Sequence, residues 1–216
     1  MGFVPRDGQA TRQRLLDEAE YLVIEQGFAA TSVDQVIDAA KSSKGAFFNH
    51  FPTKQALAAA LIARYAEADV AHLYEGLAAA QAASDDPAEQ LLHFLRDFEE
   101  QGDALLEAQS NCLYVSMLAE RQLVADGTVA PIVSAIETWR EQLAAKVRAA
   151  QADRPGAAAV DAGDLADHIF ATFEGAFVLC RSTGDPSHMR RQLRVIRLLV
   201  EALFDMRESE QPLPRG

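Results

Sequence analysis

Residues 31–54 read TSVDQVIDAAKSSKGAFFNHFPTK, and their local chemistry predicts two short helices joined by a tight turn. Thr31 or Ser32 can cap the first helix, and Gln35 stands three residues after Ser32, the spacing of a reciprocal capping box. Val33, Val36, Ile37 and Ala40 then lay an apolar stripe along little more than two turns. Lys41 and Ser42 make the turn. Ser43 is a second N-cap candidate, accepting from the free amides that open the next helix. Phe47 and Phe51, four apart, give that helix a buried side, which points Lys44, Phe48 and Asn49 elsewhere. Pro52 stops it, and Thr53 can cap a further helix from Lys54. Two helices of this size with a short turn suit a helix-turn-helix, whose second helix enters the DNA major groove.

The run Ser43-Lys44-Gly45-Ala46-Phe47-Phe48-Asn49-His50-Phe51-Pro52-Thr53-Lys54 resembles the DNA-binding core of the TetR family of bacterial transcriptional regulators. That family carries Ser-Lys-Gly, an aromatic pair, His-Phe and a Ser/Thr-Lys at these places. The motif match spans about Leu15 to Leu61, and the remainder agrees in length and helical content only. Two positions depart from the pattern. The family's turn usually reads Gly-Val, whereas here it is Lys41-Ser42. Losing the glycine raises the question of whether Lys41 holds a positive φ, and Ser42 removes an apolar turn contact. The family's frequent tyrosine is replaced by Phe48, which lacks the hydroxyl.

Composition sets the class. The chain has 216 residues, 49% of them apolar, with much Ala and few β-branched runs, which favours an all-α fold. No apolar run approaches a membrane span, and the N-terminus shows no secretion signal. Two cysteines, Cys112 and Cys180, point to a reducing cytoplasm. The net charge of −12 argues against DNA until the chain is divided. Residues 1–55 hold six Lys/Arg against seven Asp/Glu, a net of −1, so the remainder carries −11. A nearly neutral head on an acidic body can still hold phosphate if its cations share a face. The body then repels DNA except where the head docks, and binding falls steeply with salt.

Along the chain, residues 1–10 read as a flexible arm and 11–55 as the helix-turn-helix domain, sharing a helix that starts near 54. Residues 56–208 read as a ligand-binding and dimerisation body, and 209–216 as a flexible tail. Helices are expected from Thr11 to Gln26, closed by Gly27, and from Lys54 to Ala78 or beyond. More follow from Pro87 to near Gly102, Ala104 to Ala125, Pro131 to Ala150, Asp164 to Arg181, and Pro186 to Met206. The last two carry more apolar surface than one seam uses, so part of it is expected to bury against another chain. The resemblance implies the same, because the family pairs its last two helices into a four-helix homodimer interface.

Candidate DNA contacts follow from where side chains can point. Ser42 lies at the turn, Ser43, Thr53 and Lys54 at helix N-termini suit phosphate, and Thr31 is a similar candidate. Gly45 admits close backbone approach; Lys44, Phe48 and Asn49 face bases or the sugar-phosphate chain, and His50 a phosphate. Phe48 and His50 also fit as ordinary packing residues. In the body, Phe94, Phe98, Cys112, Tyr114, Met117, Trp139, Phe173 and Phe177 are large or adaptable side chains on helices expected to converge. Together they suit a pocket for an apolar or aromatic small-molecule effector. Asn111-Cys112-Leu113 resembles a Gly-Cys-Leu segment of some family members, electrophile sensors included, but without a neighbouring cation Cys112 reads as an inert thiol. The five histidines show no metal-ligand spacing, and there is no phosphate loop or nucleophile elbow, so no cofactor and no catalysis are expected. The expected function is sequence-specific binding of a double-stranded, palindromic operator, most simply repression relieved by the effector. The other reading is an acidic all-α interaction or ligand-carrier protein whose head no longer binds DNA.

Overall fold

The computed structural model describes residues 6–108 and 113–205. Among them the chain is all α: α1 (Arg6–Gln26), α2 (Val33–Ala39), α3 (Lys44–His50), α4 (Lys54–Ala83), α5 (Pro87–Ala108), α6 (Leu113–Leu118), α7 (Arg121–Ala125), α8 (Ala130–Ala152), α9 (Ala162–Thr183) and α10 (Ser187–Leu203). A 3-10 turn, Pro155–Ala159, lies in the expected loop before α9. The helices form two compact units, Met1–His72 with Glu107–Thr138, and Leu73–Leu106 with Trp139–Gly216. The division between the units falls inside α4.

In the first unit, α1 buries Leu15, Leu16, Ala19, Val23 and Ile24, and Val36 and Ile37 of α2 are buried too. Phe47 and Phe51 of the α3 segment are no more than 2% exposed, as are Leu57 and Leu61 of α4. Each such side chain contributes about 1.5–3 kcal/mol by leaving water, which is what orients helices too short to persist alone. Gly27 closes α1 at φ 85, its N–H donating to Val23 O at 2.9 Å, and Phe28 is buried behind it. Arg64 of α4 reaches Asp17 of α1 at 2.6 Å and also pairs with Glu20.

In the second unit, Asp86 caps α5 by accepting from Ala88 N–H at 2.9 Å and from Arg154 Nη1 at 3.1 Å. These bonds, the arginine's first, hold its carboxyl below the usual value. Rings line the interior, and α9 packs along α10. Arg197 of α10 bridges Glu99 of α5 at 2.6 Å and Glu201 one turn on at 2.5 Å.

Three helix boundaries differ from expectation. α1 starts at Arg6, so residues 6–10 of the expected arm are helical; residues 1–5 and the 209–216 tail lie outside the described residues. α5 runs through Gly102 instead of stopping there. A Cβ at Gly102 would lie 3.4 Å from Met189 Cγ and 3.5 Å from Arg190 N, so this glycine admits the start of α10 to close range. Of the single helix expected over 104–125, residues 109–112 lie outside the described residues, and the part after them is two helices, α6 and α7, with Ala119 and Glu120 between them.

Candidate nucleic-acid interface

The turn between α2 and α3 sets the site. Ser32 caps α2 in a full capping box: its Oγ accepts from Gln35 N–H at 3.2 Å, and its own N–H donates to Gln35 Oε1 at 2.7 Å. The helix ends with Lys41 at φ 48, Lys41 N–H donating to Asp38 O at 3.1 Å and Ser42 N–H to Ile37 O at 3.0 Å. This pair of bonds is a Schellman closure, with lysine at the left-handed position that glycine usually takes. Without the glycine the backbone still takes the left-handed conformation at Lys41, at a cost of roughly 1–2 kcal/mol for a residue with a Cβ. Ser42 Oγ is buried without a hydrogen-bond partner inside the turn, which takes it away from a DNA-facing role.

Ser43 caps α3, its Oγ accepting from Ala46 N–H at 3.1 Å. Phe47 is fully buried, 5.7 Å from the Phe51 ring, and that anchors the helix and turns its other face outward. On the outer face lie Lys44, Gly45, Phe48 and Asn49, all exposed. Phe48, 43% exposed, stands edge-on to Phe47 with ring centres 5.2 Å apart, so one part packs and the rest meets solvent. A Cβ at Gly45 would touch nothing within 4 Å, so the glycine answers no need inside the protein. Lys44 pairs with Asp34 at 3.3 Å, with both side chains more than two-thirds exposed, a weak bond that a phosphate can replace. His50 is half-buried, with its Cε1 close to α1 at Gly8, and Arg12 of α1 lies 5.4 Å over the Phe51 ring. Thr53 accepts from Ala56 N–H at 3.0 Å and leaves its own hydroxyl proton for another acceptor.

Besides Ser42, two further sequence candidates are placed differently. Thr31 is 2% exposed, its hydroxyl donating to Gly27 O at 2.9 Å and accepting from Gln26 Nε2 at 3.3 Å. Its side chain fastens the α1–α2 loop and does not face a ligand, and Ser32 takes the cap. Lys54 Nζ donates to Phe28 O at 2.6 Å and Ala29 O at 3.3 Å, and sits 4.3 Å over the Phe28 ring. Burial there lowers its pKa, while the charge of Glu120 opposes the shift. That glutamate is the residue sequence reading missed: Glu120 Oε1 accepts from Ala29 N–H at 3.0 Å, from 91 residues away. No local pattern announces such a bond.

The eight candidate effector residues fall in both units. Five share the second unit in a continuous chain of rings: Phe94 to Phe98 at 4.7 Å, Phe98 to Trp139 at 5.6 Å, Phe98 to Phe173 at 5.8 Å, and Phe173 to Phe177 at 5.1 Å. Tyr114 and Met117 are buried in the first unit, where Tyr114 donates to Asp69 Oδ2 at 2.8 Å and meets the Tyr65 ring at 5.0 Å. Cys112 lies outside the described residues. Among the described residues, no three His, Cys, Asp or Glu side chains are grouped to hold a metal ion, and no helix is long and apolar enough to cross a membrane.

A capped helix with a polar, glycine-bearing outer face, set on a short helical pair and followed by a larger helical body, defines a helix-turn-helix DNA-binding regulator. The comparisons agree. The family model for bacterial regulatory proteins of the tetR family matches residues 15–61, and that for the tetracyclin repressor-like C-terminal domain matches residues 87–196. The chain belongs to the TetR family of transcriptional regulators. It is 29% identical over 187 residues to the transcriptional regulator AcuR of Cereibacter sphaeroides, covering 84% of this chain and 82% of that protein. The Transposon Tn10 TetC protein of Escherichia coli is 38% identical over 52 residues, 24% of this chain and 26% of its own. Among solved structures, a regulatory protein TetR from Rhodobacter sphaeroides superposes with a TM-score of 0.66 at 26% identity, covering 86% of this chain and 96% of that one. A TetR-family regulator from Agrobacterium tumefaciens gives 0.72 at 19% identity, over 89% and 98%, a likeness of fold alone.

Proposed function

We propose that this regulator is a repressor that binds a palindromic operator as a homodimer and leaves it when a small apolar or aromatic molecule enters the body. The observation that carries the reading is the outer face of α3, where Lys44, Gly45, Phe48 and Asn49 are exposed while Phe47 anchors the helix from behind. Asn49 has the amide for a bidentate contact to adenine, and Lys44 a cation for guanine or phosphate. Ser43 and Thr53 add hydroxyls at helix starts, and His50 a ring beside the arm of α1. Lys54 serves phosphate only by exchanging a loop carbonyl for it.

The dimer is proposed through α9 and α10. Val178 and Leu179 on α9, and Val195, Leu198 and Leu199 on α10, are 38–55% exposed in the single chain, an apolar patch that a second copy would cover. The effector is proposed to meet the ring chain of Phe94, Phe98, Trp139, Phe173 and Phe177, with Tyr114, Met117 and Cys112 as further candidates. The protein is read as cytoplasmic and as a switch without catalysis of its own.

The test uses duplexes selected from a random pool by the wild-type protein. Lys44→Ala is expected to weaken binding across all of them and to flatten the slope of log affinity against log salt by about one contact. Asn49→Ala is expected to relax base preference at one position in each half-site, by about 1–3 kcal/mol. If both variants bind like wild type, the outer face of α3 is not the reading surface.

A further inference from the structure

Glu120 stands at the N-cap of α7, at φ −84 and ψ 96, where a short side chain such as Ser or Asp would accept from the helix's own first amides. It makes no such bond. Its Oε1 accepts instead from the N–H of Ala29, in the loop that leads from α1 into the helix-turn-helix. The carbonyl of the same residue, and that of Phe28 before it, accept from Lys54 Nζ at 3.3 and 2.6 Å. Ala29 is exposed, so its amide has water available and burial does not require a protein partner. The Ala29 residue is thus gripped at its N–H by Glu120 and at its C=O by Lys54, whose ammonium also covers the Phe28 ring. The opposite charges of the two gripping groups favour each other, and Glu120 raises the Lys54 pKa against the effect of burial.

The joint that carries Glu120 is itself well anchored. Its N–H donates to Met117 O, and α6 before it packs on α1 and on α7. Tyr114 and Met117 of α6 are buried, Tyr114 being bonded to Asp69 of α4. A displacement of α6 therefore moves Glu120, and Glu120 holds the loop whose far end is the capping box of α2.

We propose that Glu120 is a positioning residue for DNA binding, gripping the Ala29 peptide so that the α6–α7 joint sets the placement of the helix-turn-helix. This rests on the DNA-binding reading above. Glu120 touches no DNA in this account, so it alters affinity without altering the number of phosphates met. What matters is the acceptor oxygen, so Gln keeps the function and Ala removes it.

The full-length protein separates these points. Amide exchange at Ala29, and binding to a duplex selected by the wild type, are measured for wild type, Glu120→Ala and Glu120→Gln. Glu120→Ala is expected to speed Ala29 exchange about tenfold and to weaken duplex binding about five- to tenfold, the salt slope unchanged. Glu120→Gln is expected to return both to within about twofold of wild type. Unchanged Ala29 exchange in Glu120→Ala would overturn the grip. Lost protection with unchanged affinity, a shifted salt slope, or failure of Gln to rescue would overturn the positioning role. If the wild type selects no duplex at all, the DNA-binding reading fails and the positioning role falls with it, while the exchange data still show whether the grip exists.

Discussion

The two compact units of this chain are held by different physics. The first is ordered by backbone chemistry at close sequence range. A capping box closes α2, a left-handed lysine ends it, single hydroxyls cap α3 and α4, and two buried rings hold the recognition helix from behind. The second is ordered by large side chains fitted into gaps left by glycines. Gly76 faces the Phe94 and Phe98 rings, and Gly102 admits the start of α10. A segment fixed by caps presents a set surface, which suits reading DNA. One fixed by ring packing can be re-packed around a guest, which suits sensing.

Substitutions can break that contrast, the largest at the rings. Phe98→Ala, removing the ring that meets Phe94, Trp139 and Phe173, is expected to cost about 3–5 kcal/mol in thermal or denaturant unfolding. A cost below about 1 kcal/mol would mean that the rings already line open space. Next comes Gly76→Ala. Its new Cβ would sit 3.1 Å from Phe94 Cε2, so despite a helix-propensity gain of about 1 kcal/mol it is expected to lose about 1–2 kcal/mol net. A stabilised variant would show that Phe94 moves freely. Smallest are the head's own changes, which carry opposite signs. Ser43→Ala loses a cap worth about 1 kcal/mol, whereas Lys41→Gly relieves the positive φ and gains up to about 1 kcal/mol. Both are read by unfolding midpoint; the same sign for both would mean that the turn is not what holds α3.

The same contrast decides what was legible in the sequence. The capping box of Ser32 and Gln35, the Ser43 cap, the Phe47 and Phe51 anchor and the Gly27 stop are relations three or four residues long, so the residues alone reveal them. The outer face of α3 follows in part: Phe48 and Asn49 turn away from the side that Phe47 buries, whereas Lys44, three residues before Phe47, is exposed at the opening of the helix. In the sequence Gly102 reads as a stop, because a glycine that ends a helix and one that admits a neighbouring helix look alike until the neighbour is present. Thr31 and Lys54 sit at helix starts that suit phosphate, yet one fastens a loop and the other grips carbonyls 25 and 26 residues earlier. Glu120 is farther still from its partner. The eight candidate effector residues share size and polarity, and those properties alone do not say which unit a helix joins.

The outer face of α3 is proposed to meet the duplex in two copies held by one dimer. Hydroxyl-radical footprinting of the full-length protein on a selected duplex tests it most directly. Two protected patches on one face of the DNA, about 34–36 Å apart and related by a two-fold axis, are the expected result, with both weakened by Lys44→Ala. A single patch, or protection indifferent to that substitution, would contradict the account.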